Sequence, residues 1–116
     1  MALLLQTQPT VTVSLAMPLS ADQRKQYRAL GHNLKPVVTI AGKGLSDSVR
    51  DELNRALDDH ELIKVKLAIT DRDLRKTVIQ DLLAASGAEL VQEIGKIALI
   101  FRAARQPKRK LSNISH

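Results

Sequence analysis

The sequence predicts an α/β fold: a compact two-layer sandwich with elements in the order α-β-α-β-α-β-β on a mixed four-stranded sheet. Three observations predict it. Apolar residues alternate between a helical period near 3.6 and a strand period of two. Capping and breaking residues stand at most of the switches. The last two strand-like runs are separated only by Gly95-Lys96, the length of a tight hairpin.

Helix signals begin at Ser20, where Ser20-Ala21-Asp22-Gln23 has capping-box spacing. Gln23, Tyr27 and Leu30 share the face expected to pack, while Arg24, Lys25 and Arg28 cluster away from it. Gly31 ends the helix. Pro36 then opens a β-branched run, Val37-Val38-Thr39-Ile40, that stops at Ala41-Gly42-Lys43-Gly44-Leu45. Ser46 is the expected N-cap of the second helix, with Asp47 against its positive end and Leu45, Val49, Leu53, Ala56 and Leu57 at helical spacing. Ile63, Val65, Leu67 and Ile69 alternate strictly, so the next strand buries one face and carries Lys64 and Lys66 on the other. Asp71 caps a third helix whose inward stripe is expected to be Leu74, Val78, Leu82 and Ala85, with Gly87 beyond its end. Residues 89–94 and 97–101 form the closing hairpin, for which a leading glycine predicts a type II′ turn. Helical connections imply parallel pairing with right-handed crossovers for the first three strands.

The 116 residues suit one domain: a disordered leader at 1–18, a folded region at 19–102 and a flexible basic tail at 103–116. No apolar run approaches eighteen residues, which argues against a membrane span, and the N-terminus lacks the basic n-region of a signal peptide. The expected location is the cytoplasm and the expected state a monomer. There is no cysteine, which excludes disulfides and thiolate metal sites.

The net charge of +6 is segregated. Residues 20–36 carry +3, residues 37–101 carry −2, and residues 102–116 hold five basic residues and no acid. Such a footprint points to nucleic acid. Catalytic and cofactor signals are thin. His32, His60 and His116 are scattered, and Asp58-Asp59-His60-Glu61 reads as a polar helix-to-strand turn rather than a metal site. No nucleophile elbow exists, and the lysine loop lacks Walker A spacing. An enzyme using that loop as an anion hole therefore has no base or nucleophile, and no cofactor is expected.

With one Tyr, one Phe and no Trp, base-stacking platforms are absent. Backbone recognition remains. Amides at a helix N-terminus beside Lys43 suit a phosphate, and Gly42 and Gly44 allow close approach. The expected nucleic-acid contact set is Arg24, Lys25, Arg28, Lys35, Ala41, Gly42, Lys43, Gly44, Arg102, Arg105, Lys108, Arg109 and Lys110, forming one phosphate-binding surface. A protein-interaction module, its charges serving only solubility, is the competing reading.

Leu30-Gly31-His32-Asn33-Leu34-Lys35-Pro36-Val37-Val38, the Ala41 to Leu45 loop, His60-Glu61-Leu62-Ile63-Lys64-Val65-Lys66 and Gly95-Lys96 together resemble the CRM domain (chloroplast RNA splicing and ribosome maturation). The likeness covers about residues 19–102 and is greatest to the stand-alone bacterial form, the YhbY family. It implies a fold like the C-terminal domain of translation initiation factor three. It also implies an RNA-binding protein associated with precursors of the large ribosomal subunit. The family's GxxG loop falls on Ala41-Gly42-Lys43-Gly44, with alanine in place of the first glycine. The loop is expected to tolerate a negative φ at Ala41.

Overall fold

The computed structural model describes residues 18–114. Its elements are α1 (Ala21–Gly31), β1 (Pro36–Ala41), α2 (Asp47–His60), β2 (Leu62–Ala68), α3 (Arg72–Ser86), β3 (Glu89–Ile94) and β4 (Ile97–Phe101). The order is the one the sequence predicts. Residues 1–17 of the expected leader lie outside the described residues.

Local chemistry sets the ends of the helices. Ser20 Oγ accepts from Gln23 N while the Gln23 side chain accepts from Ser20 N, a complete capping box. Ser46 Oγ accepts from Val49 N, and Asp71 accepts from Asp73 N and Leu74 N. Gly87 closes α3 at φ +73, and Gly95 turns the hairpin at φ +56, the sign a type II′ turn needs at its first position.

The strand order is β1-β2-β4-β3. β1 pairs parallel to β2, and β4 pairs antiparallel to both β2 and β3. The crossovers do make the first three strands run in one direction, but β4 is inserted between β2 and β3, so only β1 and β2 pair in parallel. The reason lies in composition. Ala98, Leu99 and Ile100 are buried whichever face they point to, which suits a central strand, whereas β3 carries Glu89, Gln92 and Glu93 and takes an edge.

The predicted sandwich is formed by α2 and α3 on one face of the sheet. There Val38, Ile40, Ile63, Val65, Leu67, Ala98 and Ile100 meet Leu53, Leu57, Val78, Ile79 and Leu82. α1 lies across the other face, where Tyr27 packs with Leu62, Val91 and Leu99, so this part of the molecule is three layers deep. A Cβ on Gly31 would sit 2.5 Å from Leu99 Cδ2, so glycine lets α1 approach the sheet closely.

Two inward stripes differ from expectation. On α1 the buried residues are Tyr27 and Gly31 with Arg24 half-buried, while Leu30 is 40% exposed. Gln23 is occupied by its cap, and Arg24 turns inward because Glu89 and the Leu90 carbonyl receive it. On α3 Ile79 joins Val78 and Leu82 inside, while Leu74 is 41% exposed and Ala85 is exposed. The helix is rotated toward Arg75, whose guanidinium donates to the Ile69 carbonyl (2.9 Å).

The tail is also different. The sequence predicts flexibility from residue 103, but residues 103–114 fold back onto the α2–β2 junction. Asn113 N donates to His60 O (2.9 Å), Asn113 Nδ2 to Leu62 O (2.6 Å), and Ile114 packs beside the Tyr27 cluster. Arg102 N donates to Glu61 O and directs the chain there.

Candidate nucleic-acid interface

The glycine loop leaves the C-terminal end of edge strand β1. Gly44 N donates to Ala41 O (3.0 Å), closing a turn in which Gly44 alone takes positive φ, +78. Ala41 does not, so alanine at the first motif position is unstrained. A Cβ on Gly42 or Gly44 would meet nothing within 4 Å, so the loop backbone is open to a ligand. Lys43 is exposed between them. Leu45 packs against the core and anchors the loop, and Ser46 starts α2 directly behind it. Positive partial charge from the first α2 amides therefore adds to that of Lys43.

Between the loop and α3 runs an open groove of about 730 Å³, lined by Lys43, Arg50, Leu74, Thr77, Asp81 and Ala85 among others. Leu74 and Ala85, expected inside, instead form its apolar wall. Asp81 is acidic, so the attraction for phosphate is confined to the loop rim and Arg50.

The predicted contact residues do not form one surface. Ala41, Gly42, Lys43 and Gly44 lie at one end of the sheet, where Ala41 pairs with Ala68. Arg102, Arg105, Lys108, Arg109 and Lys110 lie at the other, beyond Glu61. Seven residue rises, from Glu61 to Ala68, separate the ends by about 23 Å. Lys25, Arg28 and Lys35 belong to α1 and its exit, on the opposite face of the sheet from α2.

Three of these cations serve the fold. Arg24 pairs with Glu89 (2.8 Å). Lys108 pairs with Asp59, and that hydrogen bond chiefly holds the Asp59 carboxyl below its ordinary value. Arg102 donates to Asn54 Oδ1 (2.8 Å), Ser86 O (2.8 Å), Asn54 O (3.0 Å) and Asp58 Oδ1 (2.8 Å). Its guanidinium joins α2 to the end of α3. Lys25, Arg28, Lys35, Lys43, Arg105, Arg109 and Lys110 form no ion pair among the described residues.

Besides Arg50, two cations absent from the predicted set belong beside it. Lys64 and Lys66 point to the sheet face away from α2 and α3, and Lys66 is paired in register with Thr39 of the exposed edge strand. They form a basic strip along β2 between the two ends. Their alternation with Ile63, Val65 and Leu67 already placed them on a solvent face. What it could not show was that α1 ends beside Lys64, which is half-buried, and leaves Lys66 exposed.

Comparison with known proteins agrees with this geometry. Residues 19–102 match the family model described as the CRS1 / YhbY (CRM) domain. A Pseudomonas aeruginosa protein named "Probable RNA-binding protein" is 52% identical over 99 residues, covering 85% of this chain and 95% of its own. A Haemophilus influenzae protein named "RNA-binding protein" is 39% identical, covering 80% of this chain and 94% of its own. The solution structure of a hypothetical Staphylococcus aureus protein, described as a candidate RNA binding protein, superposes with a TM-score of 0.68 at 30% identity. That match covers 79% of this chain and 96% of that one. These names describe binding proteins rather than enzymes. The chain belongs to the CRS1/YhbY (CRM) domain family.

Proposed function

We propose that this protein binds RNA through the sugar-phosphate backbone, as a non-catalytic monomer in the cytoplasm that associates with precursors of the large ribosomal subunit and assists their assembly. One observation carries the reading. Lys43 stands exposed on an unobstructed glycine loop at the start of α2, so an ammonium-bearing side chain and the positive end of a helix share one open stretch of surface. The relatives' names support RNA as the partner, and the resemblance to the stand-alone bacterial family supports the ribosomal precursor.

Lys43→Ala should weaken binding to large-subunit ribosomal RNA and reduce the salt dependence by about one unit in log–log slope. Unchanged affinity and slope would remove the loop from the mechanism. A protein-docking reading draws on the shallow hollow where Ile94, 63% exposed, lies beside Gln92, Ile97 and Leu99. Co-sedimentation with ribosomal particles that survives nuclease treatment would favour that second reading; loss on digestion favours RNA.

A further inference from the structure

Glu61 is the only non-glycine with positive φ among the described residues, at φ +64, and it is 2% exposed. A long acidic side chain held inside, on a backbone that L-residues rarely adopt, needs a purpose. Its carboxylate supplies one. Oε2 accepts from Ala104 N (2.8 Å) and Oε1 from Ser112 Oγ (2.8 Å). Both ends of the excursion between residues 104 and 112 are therefore tied to one side chain. His60 Nδ1 donates to Leu111 O (2.7 Å), and the Asn113 bonds to His60 O and Leu62 O lock the exit. Within the loop, Leu111 N and Ser112 N both donate to Lys108 O (2.9 and 2.7 Å).

What this clasp holds in place is Arg105-Gln106-Pro107-Lys108-Arg109-Lys110-Leu111, with four cations and no acid. Mutual repulsion opposes gathering them, and a solubilising tail would not need gathering. Lys108 is partly neutralised by Asp59, while Arg105, Arg109 and Lys110 are exposed and make no ion pair among the described residues. A closed loop of exposed guanidinium and ammonium groups is partly pre-organised for a polyanion, because its backbone has less freedom to lose on binding.

We infer that the Glu61-clasped loop at residues 105–111 is a second RNA-backbone anchor, about 23 Å along β2 from the glycine loop, so that a sufficiently long strand engages both. This rests on the RNA-binding reading above. Lys64 and Lys66 lie on the sheet between the two ends.

The test uses the full chain and single-stranded RNAs of 4 and 16 nucleotides of mixed sequence, titrated at several salt concentrations. One variant removes the charges (Arg105→Ala, Arg109→Ala, Lys110→Ala). A second opens the clasp and keeps every cation (Ser112→Ala, Asn113→Ala), and Glu61→Gln opens it from the other side. Exchange of the Ala104 amide reports the opening directly.

For the 16-mer, the charge variant should lose about tenfold in affinity, with the slope falling by about two units. The clasp variants should lose about threefold to tenfold with their charges intact. For the 4-mer, losing one anchor changes affinity by at most about twofold, because the other still binds. Clasp variants that open yet bind the 16-mer like the parent overturn the inference, as does a charge variant with unchanged slope. If Lys43→Ala retains its effect in those cases, the RNA-binding reading stands. If Lys43→Ala is also silent, that reading falls with it.

Discussion

Arg102 separates two roles that a basic residue in a basic segment can play. Replacing it with alanine removes four hydrogen bonds made by one guanidinium, two of them to backbone carbonyls of α2 and α3. The Ser86 carbonyl, in the last turn of α3, loses a charged donor, and a buried acceptor left unmade costs about 1–3 kcal/mol. The Asn54 side chain loses its partner as well. The Asp58 pair adds little, because that carboxylate is 62% exposed and such pairs contribute at most about 1 kcal/mol. With partial relaxation, Arg102→Ala should therefore lose about 2–4 kcal/mol of stability, and Arg102→Lys should recover part of it. Urea denaturation followed by circular dichroism measures the loss. RNA titrations at temperatures where both proteins are folded should show an unchanged salt slope, since the guanidinium is turned into the protein. A variant that keeps its stability within about 0.5 kcal/mol but loses about one unit of slope would refute the assignment and return Arg102 to the RNA surface.

Other outcomes follow from the same geometry. Gly31→Ala places a methyl group against Leu99, and overpacking of about 1–3 kcal/mol outweighs the roughly 1 kcal/mol gain in helix propensity; Leu99→Ala in the same chain should recover part of the loss, seen as non-additive denaturation midpoints. Gly44→Ala should cost about 1–2 kcal/mol because its φ is +78, whereas Gly42→Ala should leave stability unchanged but weaken RNA binding by placing a methyl group where the strand approaches. The single tyrosine, Tyr27, should titrate above its ordinary value of 10.0, because burial and then the Glu61 charge disfavour the phenolate. Its folded pKa is raised, so the stability it contributes is full below the unfolded value near 10 and is lost as pH rises through the folded one. Ultraviolet titration follows it, and Glu61→Gln should shift it downward.

Elements whose chemistry is local were legible in the sequence. The Ser20–Gln23 box, the Ser46 and Asp71 caps and the Gly95 turn each depend on residues within a few positions, and the structure has each where expected. The glycine loop was legible for the same reason. What could not be read depends on partners far along the chain. Arg24 looked solvent-facing because Glu89, its partner, lies 65 residues away. Arg102 and Lys108 looked free because Asn54, Asp58 and Asp59 belong to another element. Glu61 looked like one more charge in a polar turn, since the donors that give it a role come from beyond residue 103. Periodicity finds the faces of a helix, but not which long-range partner will draw a charged side chain inward.

The insertion of β4 between β2 and β3 has a consequence for biosynthesis. The strand that carries hydrogen bonds to both halves of the sheet is the last one to be made. Until residues 97–101 leave the ribosome, β3 has no partner, and β2 has only the edge strand β1. The nascent chain therefore exposes two unfinished sheet edges, and the sheet closes only through the β2–β4 pairing, whose partners are separated in sequence by all of α3 and β3 and which forms late and slowly. A chain stopped before Ile97 lacks the middle of its sheet, so arrest-peptide force measurements should register folding only once Phe101 has cleared the exit tunnel.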